Sequence, residues 1–156
     1  FRLLHITDTH LCKVYPSEGE KLVNLGARRS IRCFGEESDL EQVWEDALQY
    51  AQKENIPLAL TGDIYDFLSR ANFEYIAETL KGHAYIYAAG NHDFCTAPGA
   101  DKEDTEFKQQ QWKIVAPWFH NNLLMDSTIL NGVNLITLDD SYYQFTDGQL
   151  DFLRAD

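Results

Sequence analysis

The sequence has few basic residues, few prolines and no long run of apolar side chains. Lysine and arginine together number 13 against 25 acidic residues, which gives a formal net charge of -12 over 156 residues. Because like charges repel at long range, this balance opposes nucleic acid or an anionic membrane as a partner. No stretch is long enough to cross a bilayer, and the N-terminal apolar run is too short for a signal peptide. We therefore expect a cytoplasmic location.

Cysteine is also scarce, and its pattern excludes two classes of small domain. Cys12, Cys33 and Cys95 are odd in number and lack CxxC spacing, so neither a disulfide framework nor a zinc knuckle is indicated. We expect free or buried thiols in a reducing compartment, with a Cys12–Cys33 bridge as the alternative. The hydrophobic share of 44% and charged share of 24% are typical of a globular protein. The length predicts a single domain over residues 1–156.

The order of elements predicts an α/β fold. Three short apolar runs, at residues 3–7, 58–61 and 84–89, are separated by helical patterns, as parallel βαβ units require. Apolar residues at helical spacing follow Ser38 and Glu41, which form a predicted capping box. A second helix is predicted from about Arg70 to Lys81.

The second half of the sequence predicts a helix over 105–119 and two strands, at 123–130 and 133–139. Asn131-Gly132 between the strands is typical of a hairpin turn, and Thr146 with Gln149 predicts the start of a final helix. The stretch of about thirty residues before Ser38 shows no convincing periodicity, so we expect a long loop that borders the functional site.

Polar clusters follow each of the three apolar runs. They are Asp8-Thr9-His10, Gly62 to Asp66, and Gly90 to Asp93. Because the carboxyl ends of parallel strands open onto the same crevice, we expect these clusters to converge. The glycines before Asp63 and Asn91 permit the sharp turns that this requires.

The donor atoms of these clusters predict a metal site. Carboxylate oxygen, imidazole nitrogen and amide oxygen, with no thiolate, suit manganese, iron, zinc or a similar divalent ion. Two such ions close together need a shared carboxylate, which the middle cluster offers. The sequence therefore predicts two divalent metal ions as cofactors.

The motifs DTH, GDIYD and GNHD, in this order and spacing, resemble those of the calcineurin-like metallophosphoesterase superfamily. The resemblance implies a β-sandwich core flanked by helices in four α/β/β/α layers. It also implies that Asp8 and His10 bind the first metal, that Asp63 bridges both metals and that Asn91 binds the second.

The same resemblance implies catalytic roles for two further residues. His92 would lie outside the metal shell and either donate a proton to the leaving oxygen or stabilise the phosphoryl charge. Asp66 would orient His92 through a hydrogen bond, and Asp93 would be a structural acceptor. An imidazole with a carboxylate partner is a common general acid, which agrees with these roles.

The sequence departs from the superfamily pattern after its last predicted helix. Members place a lone His and a Gly-His-x-His motif there, whereas this sequence stops at Asp156. We therefore expect the N-terminal portion of a metallophosphoesterase domain, with a sandwich that is incomplete at the C-terminus. An open sheet edge would then favour self-association.

The predicted function is hydrolysis of phosphomonoesters or phosphodiesters by a hydroxide held between two metals, with a small-molecule or nucleotide-like substrate. Two alternatives stay open. One is a DNA-processing nuclease of the same superfamily, which the net charge opposes. The other is a catalytically incompetent fragment that lacks the later histidine ligands.

The remaining polar residues have weaker functional interpretations. Arg28, Arg29 and Arg32 form the basic cluster of the predicted loop and would grip a substrate phosphate by bidentate contacts. A solvated or salt-bridged patch is the favoured alternative. We expect His5 to be a buried, hydrogen-bonded histidine within the first strand and His120 to have a surface or packing role.

Overall fold

The computed structural model of the protein describes residues 1–36, 39–97 and 105–155, which form a mixed α/β structure. Its first sheet contains β1 (Leu4–Ile6), β2 (Leu58–Thr61) and β3 (Tyr85–Ala88). The three strands are parallel and lie in the order β1-β2-β3. This arrangement confirms the three strands and their predicted direction.

Five α-helices and a hairpin make up most of the remaining described structure. The helices are α1 (Glu20–Phe34), α2 (Leu40–Glu54), α3 (Arg70–Thr79), α4 (Thr105–Val115) and α5 (Asp147–Ala155). Short 3-10 helices cover Pro16–Glu18, His92–Phe94 and Ala116–Trp118. The hairpin pairs β4 (Met125–Leu130) with β5 (Val133–Leu138) in antiparallel fashion. None of the helices in these ranges has the length and apolar character that a membrane crossing needs.

The centre of the parallel sheet is deeply buried. Leu58 and Leu60 of β2 are fully buried, and Tyr87 of β3 is equally inaccessible. β1 lies at the edge of the sheet and is only three residues long. His5 is consequently exposed, with its Nε2 2.6 Å from Oγ1 of Thr61. The expectation of a buried His5 was therefore wrong, because it assumed a strand covered on both faces.

Helix α2 confirms its predicted pattern, with a different cap. Trp44 is buried on its inner face, and the indole nitrogen donates a hydrogen bond of 2.9 Å to Oγ1 of Thr79, which links α2 to α3. The side chain of Asp39 caps the helix by accepting from the backbone N of Gln42 at 3.0 Å. Ser38, which the sequence favoured as the cap, lies outside the described residues.

Helix α1 occupies the region that was predicted to be a loop, and that prediction was wrong. Its inward face consists of buried Gly26 and half-buried Arg29 and Cys33, at helical spacing. A Cβ atom on Gly26 would lie 2.9 Å from the carbonyl oxygen of Cys12, so glycine lets the helix lie directly on the segment after β1. The helix is clearly amphipathic, so a helical pattern was present in the sequence and the loop prediction overlooked it.

The later elements pack beside the parallel sheet. β5 lies next to β3, and α4 contacts the 3-10 helix His92–Phe94. Phe94 stacks on Trp112 of α4, with ring centroids 5.6 Å apart. His120 packs edge-on against Tyr85, which agrees with its expected packing role. The four-layer sandwich stays a prediction.

The hairpin turn and the last helix confirm two local predictions. Asn131 and Gly132 have φ values of 51° and 80°, as a type I′ turn requires. At the start of α5, the backbone N of Gln149 donates to Oγ1 of Thr146 at 3.2 Å, and the backbone N of Thr146 donates to Oε1 of Gln149 at 2.8 Å. This reciprocal pair is the predicted capping box.

Candidate metal centre

The turns that follow β1 and β2 run side by side and define one rim of the sheet. The backbone N of Asp8 donates to the carbonyl of Gly62 at 3.1 Å, and that of His10 donates to the carbonyl of Asp63 at 2.9 Å. Positive φ values occur at three non-glycine residues of these turns: 53° at Asp8, 41° at His10 and 51° at Asp63. Such backbone strain is uncommon and concentrates at functional sites.

The carboxylate of Asp93 holds the turns after β2 and β3 together. Its Oδ2 accepts from the backbone N of Asp63 at 2.9 Å and of Gly90 at 2.8 Å, and its Oδ1 accepts from that of Ile64 at 3.2 Å. Asp93 is fully buried, and this burial raises its pKa to about 7 even though the hydrogen bonds favour the charged form. These contacts confirm the expected role of Asp93 as a structural acceptor.

The two glycines of these turns meet different requirements. Gly62 has a φ of 90°, in the left-handed region that glycine tolerates best. At Gly90 the need is for close approach, since an added Cβ would lie 2.7 Å from the backbone N of Asp63. Gly62 meets both requirements, since an added Cβ there would lie 2.6 Å from the backbone N of Gly90, whereas Gly90 is explained by close approach alone.

The side chains at this rim converge, as the strand ends predicted. His10, Asp63 and His92 each offer one ligand atom, and these atoms all lie within 4.8 Å of one another. Nε2 of His10 is 3.8 Å from Oδ1 of Asp8 and 3.9 Å from Oδ2 of Asp63. Asp8 itself is largely exposed, and Oγ1 of Thr7 donates to its Oδ2 at 2.6 Å.

Asp66 lies beneath these ligands as a fully buried carboxylate that several groups share. Its Oδ1 is 3.0 Å from Nδ1 of His10 and 3.2 Å from Nδ1 of His92. Arg29 donates to Oδ2 through Nε at 2.5 Å and to Oδ1 through Nη2 at 2.8 Å. Burial alone would raise the pKa of Asp66, but hydrogen bonds from Arg29, His10 and His92 outweigh it and lower that pKa below the usual carboxyl range.

His92 is held at both its backbone and its ring. Its backbone N donates to Oδ1 of Asp63 at 3.0 Å, and its Nδ1 lies 3.0 Å from the carbonyl oxygen of Asp66. The hydrogen bond to the Asp66 side chain raises the pKa of His92 to about 9, despite the opposing effect of burial. The expected contact between Asp66 and His92 is thus present.

The motifs of this rim are matched by a known family over nearly the whole chain. A family model described as calcineurin-like phosphoesterase matches residues 1–155. The chain belongs to this family. A comparison with curated proteins gave no match. Membership in the calcineurin-like phosphoesterases indicates a hydrolase that acts on phosphate esters with the help of metal ions.

The donor set of this calcineurin-like phosphoesterase fits the divalent cations that the family implies. Two imidazoles and a carboxylate lie at mutual distances that one ion can span, and no thiolate is among them. Asp8 adds a carboxylate beside His10, and half-buried Asn91 directly precedes His92 on the turn after β3. The inclusion of His92 in the cluster was not expected, since the sequence placed it outside the metal shell.

The three arginines of the basic cluster all lie on α1 but point in different directions. Arg29 points inward and is paired with Asp66, while Arg28 and Arg32 are exposed on the same helix. The ion pair with Asp66 raises the pKa of the Arg29 guanidinium. Sequence reasoning singled out Arg29 but missed this contact. The spacing of Gly26, Arg29 and Cys33 on one helical face was the signal that could have revealed it.

Proposed function

We propose that this calcineurin-like phosphoesterase hydrolyses phosphomonoesters or phosphodiesters of small, nucleotide-like molecules with two divalent cations. The observation that carries the proposal is the meeting of His10, Asp63 and His92 within 4.8 Å at one rim of the sheet. Three turns far apart in sequence supply these side chains, and structural contacts such as those of Asp93 hold the turns together.

Four residues would hold the cations in this proposal. Asp8 and His10 would bind the first, Asn91 would bind the second, and Asp63 would bridge them. When bound, the cations would neutralise the phosphate oxygens and lower the pKa of a water molecule so that it can attack phosphorus.

The protein side chains would orient the substrate and supply a proton. Nδ1 of His92 faces the carbonyl and carboxylate of Asp66, which leaves Nε2 as the ring atom that can reach the leaving oxygen. A proton on that nitrogen would pass to the leaving group as the phosphorus–oxygen bond breaks. Asp66 acts through His92 and is a positioning residue in this scheme.

The charge of the molecule shapes the choice of substrate. A net charge of -12 repels a long polyanion at long range. A small phosphate ester would interact mainly with the few cationic groups near the site. Arg28 and Arg32 are exposed on α1, the helix whose Arg29 reaches Asp66, and would contact the substrate phosphate. If the protein were instead a nuclease, its affinity for DNA would fall steeply with added salt.

The proposal extends to the rest of the fold. The parallel sheet and the β4–β5 hairpin would be parts of the two sheets in the four-layer sandwich that the family resemblance implies. β1 is an edge strand of the parallel sheet in the described part of the chain, and its unpaired edge would favour self-association. Sedimentation at several protein concentrations would test this, and a constant monomer mass would contradict it.

The function is tested by turnover of a chromogenic phosphodiester in the presence of added manganese. We expect the wild-type protein to hydrolyse the ester and Asp63→Asn to lose activity by at least about 100-fold, because the shared carboxylate is gone. Asp140→Asn removes an exposed carboxylate after β5 and is the matched control. Equal activity in Asp63→Asn and wild type would contradict the proposal.

A folded protein that binds no manganese in titration calorimetry would also contradict it. That result would favour the alternative of a catalytically incompetent chain. Circular dichroism on the same samples establishes that the fold is intact.

A further inference from the structure

Helix α1 contributes the side chain of Arg29 to the candidate metal centre, where its hydrogen bonds are made to Asp66. Arg29 grips both oxygens of the buried Asp66 carboxylate, with distances of 2.5 Å and 2.8 Å. A guanidinium that bonds a carboxylate through two nitrogens fixes the plane of that carboxylate as well as its position.

The plane of Asp66 matters because one of its oxygens serves two imidazoles. Oδ1 is within 3.2 Å of Nδ1 of both His10 and His92. In the described part of the chain, Oδ2 accepts a hydrogen bond from Nε of Arg29. Rotation of the carboxylate would therefore break the contacts to both rings, and Arg29 is the group that opposes this rotation.

The position of α1 is itself fixed one helical turn earlier. A Cβ on Gly26 would lie 2.9 Å from the carbonyl oxygen of Cys12 and 3.0 Å from Cγ2 of Val14. The absence of a side chain allows the helix axis to lie close to the segment after His10. This close packing brings Arg29 within reach of Asp66.

We propose that Arg29 is a positioning residue that orients His10 and His92 through the Asp66 carboxylate, and that Gly26 sets its reach. The inference rests on the proposed metal-dependent hydrolysis for its kinetic consequences. Its structural part, the control of both imidazoles by one arginine, stands on the hydrogen bonds alone. Arg29 is thereby assigned to the positioning of the rings, and substrate binding is left to Arg28 and Arg32.

The first test is Arg29→Ala, measured by manganese titration calorimetry and by steady-state kinetics. Loss of a residue that orients metal-ligating side chains typically weakens metal affinity or activity by about 10- to 100-fold. We expect kcat to fall within this range and KM to change little, because Arg29 touches Asp66 and not the substrate. A large rise in KM with kcat unchanged would instead show that Arg29 binds the phosphate, and would overturn the proposal.

Rescue experiments separate positioning from a general loss of structure. Added guanidinium chloride at low millimolar concentration should restore part of the manganese affinity and kcat of Arg29→Ala, whereas sodium chloride at equal ionic strength should not. Arg29→Lys keeps the charge but cannot bond both oxygens in a fork, so we expect an intermediate effect. Full activity in Arg29→Lys would contradict the need for a fork.

Gly26→Ala perturbs the same contact without changing any charge. An added methyl group should push α1 outward, so this variant should reproduce the direction of the Arg29→Ala defect. Lys21→Ala is the matched control for Arg29→Ala, because Lys21 is an exposed cation on the same helix. Wild-type behaviour of Gly26→Ala would refute the assigned role of Gly26.

The histidine rings give a readout that needs no metal and no turnover. In nitrogen-15 spectra of the metal-free protein, hydrogen-bonded Nδ1 protons of His10 and His92 should give slowly exchanging signals that disappear together in Arg29→Ala. Persistence of both signals would overturn the inference even if the protein proves to bind no metal. If the wild-type protein shows the ring signals but binds no manganese, the proposed function is contradicted and the positioning role of Arg29 is not.

Discussion

Alanine in place of Gly90 would separate the two turns that carry Asp63 and His92. Gly90 lies in the turn after β3, and its backbone N donates to Asp93, which also holds Asp63. The substitution changes no charge and removes no hydrogen-bonding group. Its effect therefore reports on the close approach of Gly90 to both the backbone and the side chain of Asp63.

The size of the effect follows from the space at this position. A Cβ on residue 90 would lie 2.2 Å from Oδ1 of Asp63 and 2.7 Å from its backbone N. Because ordinary van der Waals contact begins at 3.4 Å, the Asp63 side chain must move and the turns must separate by about 0.7 Å. Functional side chains tolerate displacements of about 0.5 Å. Overpacking of a tight contact destabilises a protein by about 1–3 kcal/mol. For a chain of this length this corresponds to a fall in Tm of roughly 2–10 °C.

The assay combines thermal unfolding with manganese titration calorimetry. We expect Gly90→Ala to melt lower than wild type and to bind manganese at least about 10-fold more weakly. Gly148→Ala is the matched control, since the nearest atom to its added Cβ, Oγ1 of Thr146, is 3.9 Å away. Because Gly148 lies in α5, alanine there should stabilise the protein by about 0.5–1 kcal/mol. Wild-type manganese affinity in Gly90→Ala would refute the reasoning, whatever its melting temperature.

Three further outcomes are expected. Asp39→Ala removes the side chain that caps α2 and should lower the free energy of unfolding by about 1 kcal/mol in urea titration; no change would show that another group caps the helix. Trp44→Ala should cost about 3–5 kcal/mol by the same measurement, because Trp44 is buried and bonded to Thr79, whereas Val43→Ala on the exposed face should stay within about 0.5 kcal/mol. Manganese at 100 times its Kd should stabilise the folded protein by about 2.7 kcal/mol, or roughly 5–10 °C in Tm, and Asp63→Asn should abolish this gain. An equal gain in that variant would place the binding site elsewhere.

The positions of the site residues were predictable because strand ends are marked locally. β2 is an apolar run bounded by Pro57 and Gly62, and its observed limits, Leu58–Thr61, equal the predicted ones. The same logic placed Asp8, Asp63 and His92 at one rim, where the structure brings them together. Short apolar runs followed by polar turns thus carried most of the information about the site.

The errors came from contacts between residues far apart in sequence. Arg29 and Asp66 are separated by 37 positions, and the helical spacing of Gly26, Arg29 and Cys33 indicates an inward face without indicating Asp66 as the partner. Helix α1 was an error of a different kind, because its sequence is amphipathic and this pattern was overlooked. At the start of α2, Ser38 and Asp39 are both good capping residues, and the choice between adjacent candidates exceeds what propensity can resolve.

The sharing of one Asp66 oxygen by two imidazoles has a consequence for the evolution and redesign of this centre. Exchange of His10 for a ligand of another length would change its contact with Asp66 and so alter the contact of the same carboxylate with His92. Exchange of His92 would alter the contact between Asp66 and His10 in the same way. The two substitutions should be epistatic, with a coupling of about 0.5–3 kcal/mol in a double-mutant cycle. Metal binding by His10 and proton donation by His92 would therefore be coupled and would change through paired substitutions.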